Sequence, residues 1–99
     1  MLDFYIIDDK QPKPDFPEKA GLVFAGPLDE KTFSSLQQKG IIAKRFDYYS
    51  DFRLDSVLIK QMQQIILSKE LQMDTDIKSL TQILDIANNK QSGLIAYSD

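Results

Sequence analysis

The side chains that carry most enzyme chemistry are missing from this chain. Its 99 residues include no His, no Cys and no Trp. Without an imidazole or a thiolate there is no Ser-His-Asp triad, no cysteine nucleophile, no zinc site of the usual ligands and no CxxC redox pair. Acid–base chemistry could still run on carboxylates, because two Asp or Glu residues suffice for glycoside hydrolysis. Twelve of the fifteen acids are aspartates, mostly near expected helix starts or strand ends, and no pair stands out. The four glycines, Gly21, Gly26, Gly40 and Gly93, are isolated, so no glycine-rich loop can cradle a phosphate. The expectation is a protein that is not an enzyme and that uses no metal and no cofactor.

Two short motifs come close to known chemistry and stop short of it. Asp74-Thr75-Asp76, with Asp85 at the twelfth position, has the outline of a calcium loop. Its fifth and sixth positions are Lys78 and Ser79, where an acceptor and a glycine are needed. A helix cap is the better reading. Ile6-Ile7-Asp8-Asp9 resembles the acidic pair that ends the first strand of receiver domains. Here three prolines follow instead of a helix, and the pair reads as an exposed turn.

One segment is dense in groups that recognise other proteins. Arg45 to Arg53 holds four aromatics, two aspartates and two arginines in nine residues. Tyrosine and arginine are enriched at interface hot spots because they bury much area and keep a polar tip. Acids beside them attract basic partners and speed association. At period two, Phe46, Tyr48 and Phe52 share one side and suit a core. Asp47, Tyr49, Asp51 and Arg53 share the other. The candidate partner-binding residues are therefore Asp47, Tyr48, Tyr49, Asp51 and Arg53.

The elements that position this segment follow from local patterns. Leu2 to Ile7 alternates at period two, a strand. Pro12, Pro14 and Pro17 make Lys10 to Ala20 an extended loop, with docking to a partner as a lesser reading. Gly21 to Ala25 suits a short second strand closed by Gly26-Pro27. A helix over 28–40 is specified at both ends: Asp29 as N-cap, Leu28 against Phe33 as staple, and Gly40 with Ile41 closing back on Leu36. Ile41 to Arg53 reads as a strand leading into a structured loop. The second helix runs from Asp55 or Ser56 to Lys69. Its stripe of Leu58, Met62, Ile65 and Ile66, broadened by Val57, Ile59 and Leu67, predicts the most buried helix. The third, from about Asp76 to Asn88, is capped by Asp74 or Thr75. Leu94 to Tyr97 is a terminal strand. The pattern is one α+β domain over residues 1–99: a small sheet with N- and C-terminal strands paired, and three helices packed on one face.

Whole-chain properties narrow the partner. Twelve bases against fifteen acids leave a net charge of -3. With a pI near 4.8, nucleic acid is not the expected partner. The acid excess lies in residues 1–9 and beyond 46, and the bases concentrate in residues 10–45. No apolar run approaches the ~20 residues of a membrane span. The start lacks a basic signal region, and a cytoplasmic protein is expected.

Size, mild acidity, the segment Phe46-Asp47-Tyr48-Tyr49-Ser50-Asp51-Phe52-Arg53 and the terminal Gly93-Leu-Ile-Ala-Tyr-Ser-Asp99 together resemble small immunity proteins of bacterial polymorphic toxin systems. These include type VI secretion and contact-dependent inhibition. The resemblance spans the chain loosely and transfers no site residue by residue. It implies a cytoplasmic protein of bacterial competition that binds a cognate toxin effector domain, for instance a nuclease, and occludes its active site. The Tyr48-Tyr49 pair beside acids is similar in chemistry to the toxin-facing patch of nuclease-colicin immunity proteins, which are all-helical. The alternative is a non-catalytic adaptor or regulatory subunit for a host protein.

Overall fold

The computed structural model describes residues 1–71 and 73–98. Asp99, the end of the terminal segment singled out above, lies outside the described residues. Among the described residues, four strands and three helices follow in the order β1 (Leu2–Ile7), β2 (Val23–Leu28), α1 (Glu30–Gln38), β3 (Phe52–Leu54), α2 (Ser56–Ser68), α3 (Thr75–Asn89) and β4 (Gly93–Ser98). The sheet is antiparallel throughout, in the order β2-β1-β4-β3. The N- and C-terminal strands are thus neighbours at its centre, Leu2 opposite Ser98 and Ile7 opposite Gly93.

The period-two pattern of β1 divides the sheet into two faces. Leu2, Phe4 and Ile6, with Leu94 and Ala96 of β4 and Leu54 of β3, join the helices in one buried cluster. All three helices supply it: Phe33 and Leu36 from α1, Ile59, Met62 and Ile66 from α2, and Ile77, Leu80, Ile83, Leu84 and Ala87 from α3. The most buried helix is α3, not α2 as the sequence predicts. α2 carries more apolar residues than it can bury and leaves Val57 and Leu67 more than half exposed. Gly26 explains part of this difference. It carries no Cβ, and one placed there would lie 2.9 Å from Ile83 Cγ1, so α3 settles closely onto β2.

β2 differs from its expected bounds. It starts at Val23 and continues through Gly26 and Pro27, which lie within the strand rather than ending it. A break in register between Phe4 and Tyr5 opposes this stretch, and a bulge with a proline is tolerated because β2 is an edge strand. The expected strand after Ile41 is also shorter. Only Phe52–Leu54 pairs with β4, and the residues before it form successive turns.

Helix ends follow local chemistry. Asp29, Asp55 and Asp74 cap α1, α2 and α3, accepting from Thr32 N, Leu58 N, and Asp76 and Ile77 N. Gly40, at φ +76°, closes α1: its N–H donates to Gln37 O, and that of Ile41 donates to Leu36 O. Lys39 bonds Asp74 at 2.7 Å and Asp76 at 3.5 Å, tying the end of α1 to the start of α3.

Among the described residues no helix covers the second sheet face. The proline-bearing loop of residues 8–22 crosses it as a strap. Arg53 donates to Gln11 O at 2.6 Å and Asp8 O at 3.0 Å. Tyr97 donates to Pro14 O at 2.7 Å, and Tyr5 to Glu18 at 3.2 Å. Beneath it Ile7 and Ile95 are as buried as the helix-side core.

Candidate protein-binding site

The nine-residue segment divides between two environments. Two turns shape its first part: Phe46 N donates to Ala43 O and Ser50 N to Asp47 O. Gln37 of α1 holds the first turn from below, its Nε2 donating to Phe46 O at 2.8 Å and Ala43 O at 3.2 Å. The Asp47 carboxylate accepts from Tyr49 N at 3.0 Å, closing an Asx-type turn. Phe46, Tyr48 and Phe52 face inward, as the alternation requires, and pack partly buried against the core. Their rings link through Phe33: Phe46 to Phe52 at 4.8 Å, Phe52 to Phe33 at 6.1 Å, and Phe33 to Tyr48 at 5.7 Å.

Tyr49 stands on this foundation, 67% exposed. Its ring meets Tyr48 edge-on at 5.1 Å, and its hydroxyl donates to the Glu30 carboxylate. Glu30 is the first residue of α1, where the helix dipole favours an acid. Donation to a carboxylate favours the neutral phenol and raises the Tyr49 pKa above the ordinary tyrosine value. The result is an exposed aromatic flanked by Glu30 and Asp47 and held from three sides. Glu30 lies nineteen residues from Tyr49 and belongs to no motif. Its position at a capped helix start marks it as exposed, but nothing in the sequence places it beside Tyr49.

Asp51 and Arg53 face elsewhere. Asp51 accepts from Ser98 N at 2.8 Å, prolonging the β3–β4 pairing with a side chain, and from Lys13 of the strap at 2.8 Å. Burial pushes its carboxyl up, but the Lys13 and Ser98 bonds outweigh this and hold it below the usual range. Arg53 lies on the strap face, half-buried, with its guanidinium spent on loop carbonyls. The structure therefore brings Asp47, Tyr48 and Tyr49 together with Glu30, and assigns Asp51 and Arg53 to the strap.

Three of the aspartates hold structural positions. Asp9, expected in an exposed turn, accepts from Ser56 N at 3.0 Å and from the Ser56 hydroxyl, joining Asp55 at the start of α2. Asp29 is held below the usual carboxylate range by the Thr32 amide, and Asp74 by Lys39. Both are kept ionised, the opposite of a general acid. Among the described residues no three His, Cys, Asp or Glu side chains are grouped to hold a metal ion. No helix among them is long and apolar enough to cross a membrane.

A second surface went unread in the sequence. Ile41, Ile42, Ala43, Phe46, Leu58 and Ile65 line an apolar groove of about 140 Å³ between the loop after α1 and α2. Arg45 covers its Phe46 wall, with the guanidinium carbon 4.7 Å from the ring centroid. The chain matches no protein-family model, no curated protein and no solved structure.

Proposed function

We propose that the protein is a stoichiometric inhibitor of the immunity type, which binds a cognate bacterial toxin domain and occludes its active site. The observation that carries this reading is Tyr49: a large aromatic two-thirds exposed, yet fixed by the Asp47 turn, the Tyr48 ring and Glu30. An aromatic already ordered in the free protein loses little side-chain entropy on binding. With Glu30 and Asp47 beside it, the patch suits a basic cleft, such as one that acts on nucleic acid. Such an inhibitor would work in the cytoplasm of the toxin-producing cell, within type VI secretion or contact-dependent inhibition.

The test is co-expression with the toxic domain encoded by the gene directly upstream. Growth should be rescued by the wild type and much less by Tyr49→Ala. Cells that die equally with and without the protein would end the inhibitor reading. A second reading, a non-catalytic adaptor, draws support from the apolar groove beside Arg45, since two separate surfaces suit a bridge between proteins. An adaptor would bind a non-toxic host protein and leave the toxin active.

A further inference from the structure

We infer that the groove between residues 40–46 and α2 is a docking site for an acidic protein segment that inserts one bulky apolar side chain. This surface is separate from Tyr49 and does not rest on the inhibitor reading. Its apolar lining is Ile41, Ile42, Phe46, Leu54, Leu58, Met62 and Ile65. Leu54, Met62, Ile41 and Ile42 are buried and belong to the core, so the base of the groove is rigid. Leu58, Ile65 and Phe46 are only half-buried, and their remaining apolar surface faces the opening. A volume of about 140 Å³ suits a single leucine or phenylalanine side chain. Drug-sized ligands need pockets of ~300–1,000 Å³.

Charge selects the occupant. Lys44 and Arg45 are exposed on the lip, between the lining residues Ala43 and Phe46. The Arg45 guanidinium sits over the Phe46 ring, its carbon 4.7 Å from the centroid, where its N–H groups can still meet a carboxylate. Lys69 reaches the other lip, donating to Lys39 O at 3.0 Å beside the lining residue Gly40. Among the described residues none of these three bases has an ion-pair partner. The nearby acids Asp47 and Asp55 accept from Tyr49 N and Leu58 N and form no ion pair with these bases. An apolar socket bordered by three cations outside any ion pair favours an acidic segment with one large apolar anchor, and disfavours a basic or wholly apolar one.

The experiment uses a fluorescein-labelled hexapeptide, Asp-Glu-Phe-Leu-Glu-Asp, titrated with the full chain and followed by fluorescence polarisation. Saturable binding in the micromolar to high-micromolar range is expected, weakening as salt rises. Replacing the central Phe-Leu of the peptide by Ala-Ala should weaken it at least about tenfold. The double variant Lys44→Glu, Arg45→Glu should do the same, and Ala43→Phe should block the groove. All three substituted positions are exposed, so each variant should keep the wild-type circular dichroism spectrum. Tyr49→Ala should leave this binding unchanged, which separates the groove from the inhibitor patch. No saturation at millimolar protein, or equal binding of the Ala-Ala peptide, or no effect of Ala43→Phe, would overturn the proposal.

Discussion

Replacing Arg53 by alanine should release the strap from the helix-free sheet face. The guanidinium makes two short bonds to loop carbonyls, at 2.6 Å and 3.0 Å, and a marginal one to Asp9 O at 3.5 Å. Bonds from a charged donor contribute ~1.5–3 kcal/mol each. The carbonyl of Asp8, an exposed residue, regains water in the variant, so that bond counts for little. The part-buried bond to Gln11 O counts nearly in full, and loosening the strap wets the edges of Ile7 and Ile95. The expected loss is ~2–3 kcal/mol. With a urea slope of ~1–1.5 kcal/mol/M for a chain of this size, the unfolding midpoint should fall by about 2 M. Arg53→Lys should recover less than half, because an ammonium cannot reach two carbonyls from one planar fork. Hydrogen exchange locates the effect: the amides of Gln11, Ala20, Gly21 and Leu22, bonded within the strap, should lose protection beyond the global change. An Arg53 that merely faced a partner would leave stability within ~0.5 kcal/mol. A midpoint shifted by less than about 0.3 M, with strap exchange unchanged, would refute the anchoring role.

Other substitutions test the packing and electrostatics. Gly93→Ala should cost ~2–3 kcal/mol, because the new Cβ would sit 2.8 Å from the Leu54 carbonyl and 2.6 Å from the Asp9 carboxylate. Gly21→Ala, at φ +72° but in open space, should cost only ~1 kcal/mol; equal losses in thermal unfolding would show that contact is not the cause. Leu84→Ala in α3 should cost ~2–5 kcal/mol and Leu67→Ala in α2 under ~0.5, and a reversed order in chemical denaturation would restore α2 as the central helix. Asp29, Asp51 and Asp74 have folded pKa values below their unfolded ones. The stability they confer is complete above the unfolded value of ~4 and is lost as pH falls through the lower folded values. With no histidine in the chain, urea midpoints should stay level from about pH 6 to 9 and drop below about pH 4; a step near pH 6–7 would contradict this.

Local chemistry was legible in the sequence wherever a few adjacent residues decide it. The caps Asp29 and Asp74 and the Gly40–Ile41 closure need only neighbours, and the pairing of Leu2–Ile7 with the C-terminal strand follows from the tendency of small domains to tie their terminal strands into the sheet. Choices made by distant parts of the chain were not legible. α2 is the more apolar helix, but the Cβ-free approach at Gly26 lets α3 occupy the centre. Phe46 to Phe52 alternates like a strand, but Gln37 draws its backbone into a turn. Asp51 and Arg53 resemble exposed recognition residues until the strap appears over the second face. Sequence alternation marked the exposure of Tyr49, whereas its pairing with Glu30 required the fold.

The role of Tyr49 is tested most directly by calorimetric titration of the purified chain with the toxin domain encoded beside it. A stoichiometric inhibitor should bind one to one, with a dissociation constant on the order of nanomolar. Tyr49→Ala should weaken binding at least about thirtyfold, the loss of a hot spot worth ~2 kcal/mol. Absence of binding, or wild-type affinity in Tyr49→Ala, would contradict it.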